Sequence, residues 1–174
     1  MIHKIVFTGP ESTGKTTLTE RLSALMHITP VREVARDFIG QLHRPYEYQD
    51  LLSIAMLQMS EEERIKSSSP KLLICDTDLL TIKIWAEDKF HQCEHWLTHA
   101  FVDRAPDIYF LCVPDFPWQP DPLREDPDRR EHLFHLYRNH LIHYQKRFIE
   151  LTGSVEQRVA RVQEYLHGQD ARMY

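Results

Sequence analysis

Short apolar runs alternate with longer amphipathic segments along the chain. The apolar runs predict strands, in chain order His3–Thr8, Ile28–Glu33, Lys71–Cys75, Ile108–Val113 and Arg147–Leu151. The amphipathic segments predict helices at Gly14–His27, Ala35–Leu42, Tyr46–Lys66, Asp78–Glu87, His91–Val102 and Glu131–Gln145, followed by a last helix that begins at Ser154 with Gln157 as its capping-box partner. Strands that alternate with helices indicate an α/β three-layer sandwich, with a parallel sheet of about five strands covered on both faces.

The first predicted strand is followed by GPESTGKT, a full match to the phosphate-binding pattern G-x-x-x-x-G-K-[ST]. Its glycines let the backbone turn sharply and approach phosphate oxygens, and the amides at the start of the next helix attract an anion. Lys15 is expected to reach the β- and γ-phosphates of ATP, and the Thr16 hydroxyl to bind Mg²⁺. The predicted nucleotide-binding residues are Gly9, Glu11, Ser12, Thr13, Gly14, Lys15, Thr16 and Thr17.

Other signatures narrow the class of nucleotide-binding protein. The NKxD motif of GTP-binding switches and the LSGGQ-like signature of ABC ATPases are absent from the sequence. A motor ATPase usually needs a longer chain and an acidic pair that closes its second conserved strand, whereas here that strand ends in CDTD. These features favour a compact kinase that acts on a small acceptor, a nucleoside- or nucleotide-kinase-like protein with ATP and Mg²⁺ as cofactors.

Two acidic sites follow predicted strands, and the carboxyl ends of strands are where ligands of parallel sheets bind. Glu33 closes the second strand, and Asp76 and Asp78 follow the third. Phosphoryl transfer needs a carboxylate that orients the acceptor hydroxyl and takes its proton, and Mg²⁺ needs oxygen ligands near the γ-phosphate. All three acids are therefore predicted catalytic residues, with Asp76 also a predicted metal ligand beside Thr16. The alternative for Asp78 is a cap on the following helix.

Residues 114–130 interrupt the regular pattern with five prolines, five acids and three arginines, so they cannot form a helix or a strand. A segment of this kind suits a lid that brings arginine forks onto the transferring phosphate and excludes water. Arg124 is the preferred catalytic arginine over Arg129 and Arg130. The alternative is a solvated loop whose arginines pair with neighbouring aspartates.

Composition adds limits on partners and compartment. The chain has 174 residues, which predicts a single domain over residues 1–174. A net charge of −5 without a long basic block argues against nucleic acid as a partner, and no apolar run approaches a membrane-spanning length. No signal peptide precedes the first strand, and the cysteines lack CxxC spacing, so free thiols and a cytoplasmic location are expected.

Four segments, GPESTGKTTL, VREVARDF, CDTDLLTIKIW and VPDFPWQPDPLR, occur in an order and spacing that resemble a known family. The family that they resemble is the ribosylnicotinamide kinase domain of bifunctional bacterial NAD-biosynthesis proteins. The resemblance extends from Lys4 to about Arg124. It implies a P-loop kinase that phosphorylates the 5′-hydroxyl of nicotinamide riboside with MgATP. By this resemblance the acceptor and metal site contains Glu33, Arg36, Asp76 and Asp78, and Trp85 and Trp118 stack on the acceptor or wall it in.

Two departures from the family keep alternatives open. Arg32 and Val34 flank Glu33, where the family often carries aromatic residues, and an arginine repels a cationic nicotinamide. Another nucleoside or a vitamin is therefore the alternative acceptor, and a nucleotide-binding regulatory module with little catalysis is the alternative of a different class. The chain also begins at the kinase strand, which predicts that it does not adenylate the product itself.

Overall fold

The structure is a computed structural model that describes residues 3–68, 70–121 and 128–170. Four strands of this part form one parallel sheet in the order β2-β1-β3-β4, namely His3–Thr8 (β1), Leu72–Asp76 (β2), Ile108–Cys112 (β3) and Phe148–Leu151 (β4). The chain runs from β1 to β2 on one side of β1 and then from β2 back across to β3 on the other side. The crevice outside the carboxyl ends of β1 and β3 is therefore the switch point where sheets of this kind bind ligands.

Seven helices of the described part cover the sheet, namely Lys15–Met26 (α1), Val34–Gln41 (α2), Tyr48–Lys66 (α3), Leu79–Phe90 (α4), His95–Asp103 (α5), Arg130–His143 (α6) and Val155–Asp170 (α7). Alternate strand residues face opposite sides. Ile5 and Phe7 pack with α1 and α7, whereas Val6 and Tyr109 pack with α2 to α6. The three-layer α/β sandwich predicted from the periodicity is confirmed.

The predicted strand Ile28–Glu33 is reduced to one bridge at Val31, so the described sheet has four strands rather than about five. The Val31 N–H donates to the Ile74 carbonyl at 2.8 Å, and the Asp76 N–H donates to the Val31 carbonyl at 2.9 Å. Pro30 has no N–H to extend the pairing, and α2 begins only three residues after Val31. The bridge nevertheless fixes the start of α2 beside the end of β2.

Two helix boundaries also differ from the prediction. Helix α4 continues to Phe90, and His91 ends it in the left-handed region at φ 54°, with its N–H bonded to the Glu87 carbonyl. Helix α5 consequently begins at His95 rather than at His91. The predicted capping box of the last helix is confirmed, because Ser154 N–H donates to Gln157 Oε1 at 2.8 Å and Gln157 N–H donates to Ser154 Oγ at 3.3 Å.

Cys75 and Cys112 are buried free thiols in β2 and β3, the strands in which the sequence places them. In the stretches 3–68, 70–121 and 128–170, no helix combines the length and the apolar character that crossing a bilayer requires.

Candidate active site

A cavity of about 410 Å³ opens at the carboxyl ends of β1 and β3. Its lining contains all eight predicted phosphate-loop residues together with Glu33, Arg36 and Trp85. Residues without a predicted role complete the lining: Pro10, Ile39, Thr81, Phe116, Pro117, Gln119, Leu133, Tyr137 and Val155. The fold therefore brings the phosphate loop, the second-strand acid and a predicted acceptor tryptophan to one place.

The phosphate loop, residues 9–16, has a backbone conformation that requires glycine at two positions. Gly9 lies at φ 130°, and a Cβ added there would be 2.8 Å from the Cys112 carbonyl oxygen, so glycine lets β1 and β3 approach each other. Gly14 lies at φ 80° and precedes α1 without a side-chain cap on the helix amides. Those amides remain available to an anion, as the motif predicts.

Lys15 lies over this loop. Its ammonium donates to the Gly9 carbonyl at 2.9 Å and to the Pro10 carbonyl at 2.7 Å. Thr13 Oγ1 also donates to the Pro10 carbonyl, at 2.8 Å. The loop is thus closed on itself, with its one ammonium group held where the β- and γ-phosphates bind in loops of this class.

Together with Glu11 of the phosphate loop, Glu33 is a carboxylate that lines the cavity with Lys15. It precedes α2 and makes no side-chain cap to that helix. Burial raises the pKa of Glu33 to about 7, and Asp76 and Glu11 also raise it, while Lys15 and Arg36 oppose the shift. A carboxylate that titrates near neutral pH matches the requirement for a general base.

Asp76 fits a magnesium site. The carboxylate ends β2, and its buried Oδ1 has no hydrogen-bond partner among the described atoms. Burial raises the pKa of Asp76, and the Thr16 side chain and the Lys15 charge act in the opposite direction. A buried carboxylate oxygen left unpaired beside a threonine hydroxyl is an oxygen donor set that Mg²⁺ favours. The predicted pair of metal ligands, Thr16 and Asp76, therefore lies together.

Asp78 is directed away from the cavity and caps α4, the alternative that the sequence left open. The chain turns at Thr77, which has φ 65°. Asp78 Oδ1 then accepts from the Leu80 N–H at 3.0 Å, and Oδ2 accepts from the Tyr109 hydroxyl at 2.6 Å. Burial raises the pKa of Asp78. Both carboxylate oxygens are thus occupied inside the core, so the structure gives Asp78 no contact with the site.

Helices α4 and α6 supply another wall of the cavity. Thr81 and Trp85 are one turn apart on α4 and both line the cavity. The Tyr137 hydroxyl of α6 donates to Thr81 Oγ1 at 3.2 Å, and burial raises the pKa of Tyr137. Trp85 also packs on Tyr46, with ring centroids 6.2 Å apart. Tyr137 was not predicted, because an aromatic residue on an amphipathic helix looks the same in sequence whether it faces a core or a site.

The flanks of Glu33 do not take part in this wall. Arg32 is exposed, and its carbonyl accepts from Gln58 Nε2 at 3.1 Å. The Val34 N–H donates to Gln58 Oε1 at 3.1 Å, and its side chain packs against the core. The described lining includes neither residue, and its aromatic members are Trp85, Phe116 and Tyr137.

The predicted lid, residues 114–130, lines the site only in part, through Phe116, Pro117 and Gln119. Arg36, which is predicted for the acceptor site, also lines the cavity and donates to Asp121 Oδ2 at 2.8 Å. Trp118 is absent from the described lining and instead has the Arg130 guanidinium 6.0 Å from its ring centroid. Arg129 pairs with Asp88 of α4 at 2.8 Å. Arg124, the preferred catalytic arginine, lies outside the described residues, so its role stays a prediction.

Comparisons with known proteins agree with this architecture. A curated relative, the trifunctional NAD biosynthesis/regulator protein NadR of Salmonella typhimurium, is 27% identical over 128 residues, which are 71% of the chain and 31% of that protein. The chain thus spans about a third of the length of the relatives it matches.

Three solved structures have the same fold. NadR in complex with NR superposes with a TM-score of 0.77 at 20% identity, over 88% of the chain and 46% of NadR. NadR in complex with NAD and AMP-PNP gives 0.77 at 18% identity, over 94% and 49%. A thymidylate kinase from Ehrlichia chaffeensis gives 0.69 at 17% identity, over 95% and 98%. These matches confirm the predicted resemblance and the nucleoside-kinase-like fold.

The family comparison covers most of the chain. A family model described as an AAA domain matches residues 4–158, which include the phosphate loop, Glu33, Asp76 and the start of α7. By this match, the chain belongs to the AAA domain family.

Proposed function

We propose that the chain is an ATP-dependent phosphotransferase that transfers the γ-phosphoryl group of ATP to the 5′-hydroxyl of nicotinamide riboside, giving nicotinamide mononucleotide. The observation that carries the proposal is Glu33, a carboxylate with a pKa of about 7, in one cavity with the phosphate loop and Lys15. The likeness to NadR structures with NR and with AMP-PNP supports the choice of acceptor and of donor.

The phosphate loop, the two metal-ligand candidates and Glu33 have separate roles in this reaction. Loop amides and Lys15 hold the β- and γ-phosphates and draw charge from them as the transferring group leaves ADP. Thr16 and Asp76 would hold Mg²⁺, which when bound neutralises charge on the phosphate oxygens. Glu33 orients the acceptor hydroxyl and takes its proton as the hydroxyl oxygen bonds to the γ-phosphorus.

The acceptor lies, in this proposal, against the wall formed by α4 and α6. The Trp85 ring offers a flat apolar surface to a heteroaromatic base, and the Thr81 and Tyr137 hydroxyls offer polar contacts. Arg36 of α2 and Glu33, which directly precedes α2, line the same cavity. A stacking surface of this type accepts many planar bases, so another nucleoside is the second candidate acceptor.

The test is ADP release from MgATP, measured with and without a panel of acceptors. Stimulation by nicotinamide riboside, with nicotinamide mononucleotide as product, is the expected result. Stimulation only by another nucleoside or a vitamin would reject the proposed acceptor and keep the chemistry. Tight ATP binding without stimulation by any acceptor would favour a regulatory nucleotide-binding module. Lys15→Ala is the control that should lose turnover while the protein remains folded.

A further inference from the structure

Two arginines outside the described cavity lining contact consecutive carbonyl groups of the phosphate loop. Arg130, the first residue of α6, donates from Nη2 to the Ser12 carbonyl at 3.1 Å. Arg158, in the first turns of α7, donates from Nη1 to the Thr13 carbonyl at 2.9 Å. Residues from opposite layers of the fold thus converge on the tip of one loop.

The direction of these carbonyls determines where the loop amides point. In a trans peptide unit the carbonyl and the following N–H lie on opposite sides, and the described peptide bonds are all trans. A Ser12 carbonyl drawn toward Arg130 therefore turns the Thr13 N–H the other way. The Thr13 carbonyl held by Arg158 does the same for the Gly14 N–H. Amides of this segment are the groups that cradle phosphates in such loops.

The loop conformation needs this support. Ser12 lies in the left-handed region at φ 55°, which costs free energy for a residue other than glycine unless its surroundings hold it there. Ser12 Oγ also accepts from the Gln119 N–H at 3.0 Å. The contacts from Arg130 and Gln119 therefore hold Ser12 on both its carbonyl and its side chain.

Arg158 is built into its position. Its side chain is 0% exposed, and its other donors reach the Val113 carbonyl at 3.0 Å, the Gly153 carbonyl at 3.0 Å and the Asp115 carboxylate. The Phe116 ring lies 4.5 Å from the guanidinium carbon. A buried charge is retained only with full pairing, and one planar fork that satisfies several acceptors is a property of arginine that lysine lacks.

We propose that Arg158 and Arg130 are positioning residues, which act through the Thr13 and Ser12 carbonyls to aim the Gly14 and Thr13 amides at the phosphates of the bound nucleotide. The inference rests on the proposed function only in that the loop binds a nucleoside polyphosphate. It is independent of the acceptor, because neither guanidinium lines the described cavity where the acceptor would lie.

The experiment compares MgADP binding to the full chain and to its Arg158→Lys and Arg130→Lys variants by calorimetry. Each variant should raise the Kd of MgADP about tenfold, the scale of one lost charge-assisted hydrogen bond. The KM for ATP should rise likewise, with little change in the KM for the acceptor. The matched control is Arg161→Lys, one turn along α7, whose described ion pair is with Glu164 alone, and it should bind MgADP like wild type.

A purely structural role would give a different result. It would lower the melting temperature or the active fraction, while the folded molecules kept the wild-type Kd for MgADP. Folded Arg130→Lys protein with a wild-type Kd would overturn the proposal, and this variant remains decisive if Arg158→Lys fails to fold, because Arg130 is only half-buried. Since MgADP binding needs no acceptor, failure of nicotinamide riboside as substrate would overturn the proposed function and leave this comparison intact.

Discussion

At the scale of single residues, the chemistry of the site centres on Glu33. Its carboxylate shares the cavity with Lys15, and burial holds its pKa near neutrality. The sequence identifies Glu33 only as an acid at the end of an apolar run, next to the more conspicuous pair Asp76 and Asp78. Spacing along the chain could not separate the roles of these three acids. The left-handed backbone at Thr77 directs Asp78 to the Leu80 N–H and the Tyr109 hydroxyl, and the sequence does not show this turn.

Glu33→Gln should lower kcat by about 10²- to 10⁴-fold, the usual contribution of a general base, with little change in MgATP binding. In the wild type, kcat/KM should be low in acid and rise through about pH 7, since Glu33 must be ionised to accept the proton. A pH profile of initial rates checks both. Asp37→Asn, an exposed change in the first turn of α2, should leave the profile unaltered. A profile without a rise near neutrality would rule out this base.

The same ionisation should appear in stability. The pKa of Glu33 is raised in the folded state from 4.5 to about 7, so folding favours the protonated form. Its stabilising contribution is complete below about pH 4.5 and is lost as the pH rises through about 7. Wild type should therefore lose at most about 3 kcal/mol relative to Glu33→Gln between pH 5 and pH 8. Urea unfolding of both proteins across that range measures the difference, and parallel curves would contradict it.

At the scale of elements, α4 depends on Asp78 for its start. Asp78→Ala removes the acceptor of the Leu80 N–H and leaves the buried Tyr109 hydroxyl without its carboxylate. We expect a loss of about 2–4 kcal/mol in unfolding free energy, with the Kd for MgADP unchanged. Adding Tyr109→Phe should recover part of the loss. Wild-type stability combined with lost turnover would instead return Asp78 to the catalytic residues.

Helices and strands could be predicted where the apolar periodicity determines them. Boundaries that depend on the conformation of a single residue could not. The buried strands β1, β2 and β3 and the long helix α3 follow directly from their apolar patterns. The boundary between α4 and α5 depends on His91 adopting a left-handed conformation, which histidine seldom signals in sequence. Arg158 was equally hidden, since one arginine on a helix of mixed polarity gives no sign that it is buried.

At the scale of the whole molecule, a nucleotide at the switch point would be held by loops that follow β1 and β3 together. MgADP at about one hundred times its Kd should stabilise the fold by about 2.7 kcal/mol, and raise the melting temperature by roughly 5–10 °C in a domain of this size. Differential scanning calorimetry with and without MgADP measures the shift. Lys15→Ala should show a much smaller one, and an equal shift in that variant would contradict the role given to Lys15.

The bridge at Val31 has a consequence for changes of chain length. Two hydrogen bonds fix the register of Val31 against β2, and Glu33 follows two residues later. The bridge at Val31 therefore determines the position of the Glu33 carboxylate in the site. One residue inserted between Val31 and Glu33 would displace the carboxylate by about 3.3 Å, beyond hydrogen-bond reach. A glycine inserted there should abolish turnover in the kinase assay. The same glycine inserted after Ile28 precedes the Val31 bridge, so the loop there should accommodate it without moving Glu33. Equal losses of turnover from both insertions would contradict this dependence.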